Sequence, residues 1–146
     1  MARRVFFSFE YSDVFRAMVV RNSWVTQDRE AVGFIDSAEF EEVEAEGDDA
    51  IDAWIDEQLA GTSVTVVLVG AETCESKWVS HEIVKSIDRG NGVLGIDISK
   101  IKDVNDKTTD CCGQIPTGYS FYRWNKDDGY HNMGAWIEAA AKAAGK

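Results

Sequence analysis

The sequence predicts an α/β domain with a mainly parallel sheet and helices on both of its faces. Three observations carry that prediction. Strand-like apolar runs alternate along the chain with segments of helical periodicity. The run Val64-Thr65-Val66-Val67-Leu68-Val69 hardly alternates, as expected of a strand covered on both faces. A short polar loop then leads from this run into a new helix signal at Ser76.

The elements follow in order. Arg4 to Phe9 reads as a first buried strand. Ser12 can cap a helix from Asp13 to about Asn22, with Val14 and Met18, and Phe15 and Val19, at helical spacing. Ala31 to Ile35 is a short second strand ending at Asp36. Ser37 to Gly47 is acidic and reads as a loop with one helical turn. Asp48 to Leu59 is a strong helix, because Ile51, Ile55 and Leu59 recur every fourth residue and Gly61 follows its end. Ser63 to Val69 is the central strand. The helix capped by Ser76 runs to Asp88 and stops at Gly90-Asn91-Gly92. Val93 to Ile98 is a fourth strand, and Lys100 to Gly118 is a long polar stretch holding the one proline, Pro116. Long loops of that kind often cover or bind. Tyr119 to Trp124 is expected as an edge strand, and Asn132 to Ala144 as a closing helix with Met133, Trp136, Ile137 and Ala140 inward. There is no repeat or linker, so residues 1–146 are expected to be a single domain. Val5–Phe9 and Val64–Val69 are expected to be central in a flavodoxin-like sheet.

Composition excludes several functions. The 146 residues carry 26 acidic and 15 basic side chains, a net charge of −11. A nucleic-acid binder needs a basic footprint, so no nucleic-acid partner is expected. The same charge disfavours anionic membranes, and no apolar run is long enough to span a bilayer. Arg3 and Arg4 precede an apolar run that ends at Glu10, too short for a signal peptide. The expected compartment is the cytoplasm. Cys74, Cys111 and Cys112 form no C-x-x-C pair and no even disulfide framework, and the adjacent pair reads as incidental. With His81 and His131 the only histidines, no metal site is expected. The acidic run Glu39 to Glu57 reads as a solvated surface and a helix start that favours acids.

The stretch Ser76-Lys77-Trp78-Val79-Ser80-His81-Glu82-Ile83 holds the main candidate for chemistry. At about 100° per residue, Trp78 and Glu82 lie within roughly 40° of each other on the helix surface. Val79, Ile83 and Ile87 mark the inward face, so Glu82 sits at its margin, near the carboxyl end of a central strand. Ligands of open α/β sheets bind at that edge. A half-desolvated Glu82 is a plausible catalytic group, and an ordinary solvated helix residue is the other reading.

Familiar nucleotide and hydrolase motifs are missing. The first loop reads Ser8-Phe9-Glu10-Tyr11-Ser12-Asp13, without the glycines of a dinucleotide fingerprint. There is no G-K-[ST], no G-x-S-x-G, and no carboxylate at the end of the central strand, where Gly70 stands. The remaining pocket combines Ser8, Phe9, Glu10 and Tyr11 with Asp36, Ser76, Trp78 and Glu82. Rings that stack on a base and carboxylates that take ribose hydroxyls suit a nucleotide, although simple packing explains Phe9 or Tyr11 taken singly.

Arg3 to Phe9 followed by Tyr11-Ser12-Asp13 resembles the first box of TIR domains, and Ser76-x-Trp78-x-x-x-Glu82 resembles their catalytic S-x-W-C-x-x-E helix, with Val79 in place of Cys. Val20-Arg21-Asn22-Ser23-Trp24-Val25-Thr26, Gly33-Phe34-Ile35-Asp36, Gly47-Asp48-Asp49-Ala50-Ile51 and Thr62-Ser63-Val64-Thr65 are similar to the TIR-like ThsB family of the bacterial Thoeris anti-phage system. The resemblance runs from about residue 3 to 107; residues 108–146 supply the edge strand and closing helix. It implies an enzyme that takes NAD as substrate, needs no cofactor, breaks the nicotinamide–ribose bond and makes a cyclic ADP-ribose-type signal for a separate effector protein. It also leaves room for a homo-oligomer. Glu82 takes the catalytic position. Glu10 stands where the resemblance leads one to expect His, and Arg3, Arg21, Lys77 or the N–H groups near Ser76 are the candidates for a pyrophosphate. A non-catalytic self-associating adaptor and a nucleoside deoxyribosyltransferase-like glycosidase are the competing functions.

Overall fold

The computed structural model describes residues 4–25, 30–32, 42–113 and 115–146, with backbone alone at 11, 25 and 30–32. Its strands are β1 (Arg4–Phe9), β2 (Glu30–Val32), β3 (Val64–Val69), β4 (Gly92–Asp97) and β5 (Ser120–Arg123). Its helices are α1 (Val14–Val25), α2 (Asp48–Leu59), α3 (Lys77–Asp88) and α4 (Gly129–Ala143). The strands form one sheet in the order β2-β1-β3-β4-β5. Every neighbouring pair is parallel. That is the flavodoxin-like order, with β1 and β3 central as expected.

All six residues of β3 are buried. Its two rows of side chains go to different layers, because successive strand residues point to opposite faces. Val64, Val66 and Leu68 join Val5 and Phe7 of β1, Ala17, Val20 and Trp24 of α1, and Met133, Ile137 and Ala141 of α4. On the other face Val67 and Val69 meet Val79 and Ile83 of α3. There Phe6 packs with Ile51, Ile55 and Leu59 of α2. The layers α1/α4 and α2/α3 thus sandwich the sheet. Among the described residues no helix is long and apolar enough to cross a membrane.

Several elements differ from expectation. A 3-10 turn takes up Tyr11–Asp13, so α1 begins at Val14 and runs through Val25. Its inward stripe is Ala17, Val20 and Trp24, while Phe15 and Val19 are exposed. The expected pairs Val14/Met18 and Phe15/Val19 are therefore not the buried face; small Ala17 lets the helix approach the sheet closely. Ile35 and Asp36 lie outside the described residues. Residues 42–45 form the helical turn expected in the acidic stretch. The closing helix starts earlier, at Gly129, behind Asp128 in the left-handed conformation.

The cysteines also differ. Cys74 and Cys112 form a disulfide, and exposed Cys111 is free. After β4 the chain returns over the carboxyl edge of the sheet. The Cys112 N–H donates to the Gly70 carbonyl at 2.8 Å, and the Cys74 N–H donates to the Cys112 carbonyl at 2.8 Å. Tertiary topology, invisible in the spacing, brings the two sulfurs together.

Leu68 is fully buried where the α1/α4 layer meets the central strand. Leu68→Ala is expected to cost about 3 kcal/mol in urea unfolding. A cost below about 1 kcal/mol would show that the β3 row is not the centre of the core.

Candidate active site

Ser8 lies in the carboxyl half of β1 and, by strand alternation, faces the α2/α3 layer with Phe6. Helix α3 runs beneath it. Ser76 is its N-cap, with Oγ accepting the Val79 N–H at 3.3 Å. Val79, Glu82, Ile83 and Ser86 form its buried stripe, at spacings that follow the helical repeat. Glu82 therefore lies within the buried stripe, 7% exposed.

The Ser8 hydroxyl donates to Glu82 Oε1 at 3.1 Å. One turn further, Ser86 Oγ donates to the Glu82 carbonyl at 2.7 Å and meets Thr65 Oγ1 at 2.7 Å. Burial pushes the Glu82 carboxyl up to about 8, against a small opposing pull from the Ser8 hydrogen bond. At neutral pH the resting group is thus mostly a neutral acid.

A second carboxyl sits at the same edge. Asp13 is 3% exposed, and its Oδ2 has no hydrogen-bond partner among the described residues. Burial, then the nearby Glu10 charge, push it up to about 6, against the pull of Arg16. Gly70 makes this placement possible. A Cβ there would collide with the Asp13 carboxyl, so a side chain at position 70, just after β3, would push that carboxyl from its place. Sequence reading used Asp13 only as a helix start. The available signal was the pairing of a glycine-ended strand with an acid in the facing first loop.

The other predicted residues are placed as follows. Phe9 packs against the α1/α4 core, on the opposite face of the sheet from Ser8 and Glu82. The Glu10 carboxylate turns back to accept the Ser12 N–H at 2.6 Å and the Ser12 hydroxyl. Tyr11 contributes backbone to the 3-10 turn, and Asp36 lies outside the described residues. Trp78 packs against the cluster of Phe6, Ile51, Ile55 and Leu59 and donates Nε1–H to Glu44 Oε2 at 3.2 Å. Lys77 Nζ lies 4.4 Å over the Trp78 ring. Next to them His81 meets Asp52 of α2 at 3.0 Å and Lys85 meets Asp56 at 3.1 Å. The structure thus joins Ser8 to Glu82, sets Ser76 and Trp78 on the same helix, and turns Glu10 and Phe9 elsewhere.

A parallel sheet in this order, with a first-strand serine holding a buried glutamate of the S-x-W…E helix, is the architecture of a TIR-like domain. Residues 6–103 match the family model described as Thoeris protein ThsB, TIR-like domain. A protein of Bacillus cereus (strain MSX-D12), named "Putative cyclic ADP-D-ribose synthase ThsB1", is 41% identical over 141 residues, covering 93% of this chain and 72% of the relative. The chain belongs to the ThsB TIR-like family.

Linkage gives a test of the Glu82 environment. The folded-state value, about 8, lies above the ordinary 4.5, so the folded state binds the extra proton between those pH values. Stability therefore falls as pH rises from about 4.5 to 8. Relative to Glu82→Gln, the parent should lose stability on the order of 3–5 kcal/mol between pH 5 and pH 9. A difference that stays flat over that range would mean that Glu82 is solvated.

Proposed function

We propose that the protein cleaves NAD at the nicotinamide–ribose bond in the cytoplasm and closes the ADP-ribosyl product into a cyclic ADP-ribose-type nucleotide. This nucleotide would activate a separate effector protein in anti-phage defence. Family membership and the name of the Bacillus relative support the reading. The observation that carries it is the buried Glu82 carboxyl held by Ser8 beneath the carboxyl half of β1.

The chemistry follows from charge. The nicotinamide ring of NAD is cationic. Brought beside Glu82, it favours the carboxylate and draws the proton off. The carboxylate then stabilises the oxocarbenium-like ribosyl centre as the C–N bond breaks and its electron pair leaves with neutral nicotinamide. Low local dielectric strengthens that attraction. An adenine nitrogen bonding to C1′ gives the cyclic product; water attacking there and giving up a proton gives linear ADP-ribose. Exclusion of water from the site favours the ring closure. Ser76 sets the start of the helix, and Trp78 fixes its angle against α2.

Glu82→Gln should lower nicotinamide release by at least about a hundredfold. The assay includes high protein concentrations, so that activity dependent on self-association is seen. Turnover matching an active parent would make Glu82 structural, and no nicotinamide release by the parent itself would leave the adaptor reading. Because the free carboxyl titrates near 8, kcat/KM should rise with pH up to about 8, while the limb in kcat should lie lower, since bound substrate favours the charged form. A rate independent of pH between 5 and 9 would contradict an ionised Glu82 in the reaction. Filtrates of activated cells should contain a cyclic ADP-ribose mass and switch on the effector. Filtrates with linear ADP-ribose alone would end the signalling part of the reading.

A further inference from the structure

Two fully buried hydroxyls, Thr65 of β3 and Ser86 of α3, stand in the layer that joins α3 to the sheet. The apolar members of that layer are Val67, Val69, Val79, Ile83 and Val93. Thr65 Oγ1 and Ser86 Oγ are 2.7 Å apart, and Ser86 Oγ lies 2.7 Å from the Glu82 carbonyl oxygen. The direction of these bonds follows from the groups themselves. A carbonyl cannot donate, so the single Ser86 hydroxyl proton goes to Glu82. The Ser86 oxygen must then accept from Thr65. A directed chain thus runs from the β3 hydroxyl, through α3, to the main chain of the glutamate.

Stability alone does not call for such a pair. Replacing both partners of a buried hydrogen bond by apolar groups of similar shape is close to neutral. Valine at 65 and alanine at 86 would fill the layer without desolvating two hydroxyls. Apolar contact is non-directional and does not by itself set the rotation of a helix, whereas a hydrogen-bond chain does. Glu82 is in this way held at two points. Ser8 of β1 holds its carboxyl at 3.1 Å, and Thr65 of β3 holds its main chain through Ser86. Phe6 aligns with Thr65 and Ser8 with Val67, so by alternation Thr65 and Ser8 share one sheet face. One strand spacing and two residues separate them, roughly 8 Å. Burial and the Ser8 bond are the causes that set the Glu82 carboxyl, with no contribution from a charged group among the described residues. His81 and Lys85 of the same helix are turned to Asp52 and Asp56 of α2.

We propose that Thr65 and Ser86 are positioning residues, which hold the Glu82 main chain so that its carboxyl stays under Ser8 at the reacting ribose. Their part in catalysis rests on the NAD-cleaving reading; their hold on Glu82 does not. Both are closed off from solvent and touch no substrate, so their effect belongs in kcat and not in KM.

The test compares Thr65→Val, which keeps the shape and removes the hydroxyl, with Thr65→Ser, which keeps the hydroxyl and removes a methyl. Thr65→Val should lower kcat for nicotinamide release about tenfold, because a small displacement of a reacting group is costly, with KM within about twofold of the parent. The limb of kcat/KM should move below about 8 as the loosened carboxyl gains water. Ser86→Ala should do the same, and it decides the matter if Thr65→Val does not fold by circular dichroism. Thr65→Ser should stay within about threefold of the parent kcat with its limb in place. A readout that needs no turnover is the loss of stability between pH 5 and pH 9 relative to Glu82→Gln. Measured with Thr65→Val in both proteins, that loss should shrink. Parent-like kcat and limb in both Thr65→Val and Ser86→Ala overturn the proposal and leave NAD cleavage standing. Losses as large in Thr65→Ser as in Thr65→Val also overturn it, since packing would then explain them. If the parent never cleaves NAD, the catalytic reading falls. A reduced pH-dependent loss then still supports the hold on Glu82, and an unchanged one overturns it.

Discussion

A carboxyl group held in the buried stripe of α3 sets the terms for the rest of the site. Glu82 sits where Val79 and Ile83 sit, under the sheet, with the Ser8 hydroxyl as its donor. One neutral hydrogen bond does not replace the hydration of a charge, so the group rests protonated. Everything that fixes α3 therefore fixes the reactive group: the Ser76 cap, the Ser86–Thr65 contact to β3, and the Trp78, His81 and Lys85 contacts to α2. The helix is tied down along its length, which keeps the carboxyl from swinging out to solvent.

The central strand shows the same logic at its end. Gly70 leaves room for the Asp13 carboxyl, which then stands half neutral near pH 6 beside Glu10. Two protonatable acids, one beneath β1 and one over β3, border one edge of the sheet. A domain with this much negative charge can keep them there because burial holds their charge down, for Asp13 against the opposing pull of Arg16.

The fold was legible because its signals are one-dimensional. A β3 that hardly alternates, the recurrence of Ile51, Ile55 and Leu59 at every fourth position, and the Ser76 cap each mark an element without reference to the rest of the chain. The inward face of α1 was not legible: the spacing marked Val14 with Met18 and Phe15 with Val19, whereas packing against the sheet buries Ala17, Val20 and Trp24. At the site, the helix position of Glu82 could be read from the sequence; its Ser8 partner, 74 residues away, could only be gathered into the same pocket. The reverse facing of Phe9, the turn of Glu10 toward Ser12 and the burial of Asp13 depend on strand parity and loop path, which composition does not encode.

The disulfide gives the fold a chemical dependence that its core lacks. The bond between Cys74 and Cys112 closes a loop across 38 residues, which contains the whole of α3 and β4. A cross-link of that length restricts the unfolded chain by about 4 kcal/mol in the chain-entropy model. Thiol reductants reverse such bonds, and reducing compartments keep them open. The same polypeptide would therefore exist as two molecules of unequal robustness, a ringed one and a linear one. The electron supply around the protein, and not its sequence, would decide which of them carries the glutamate.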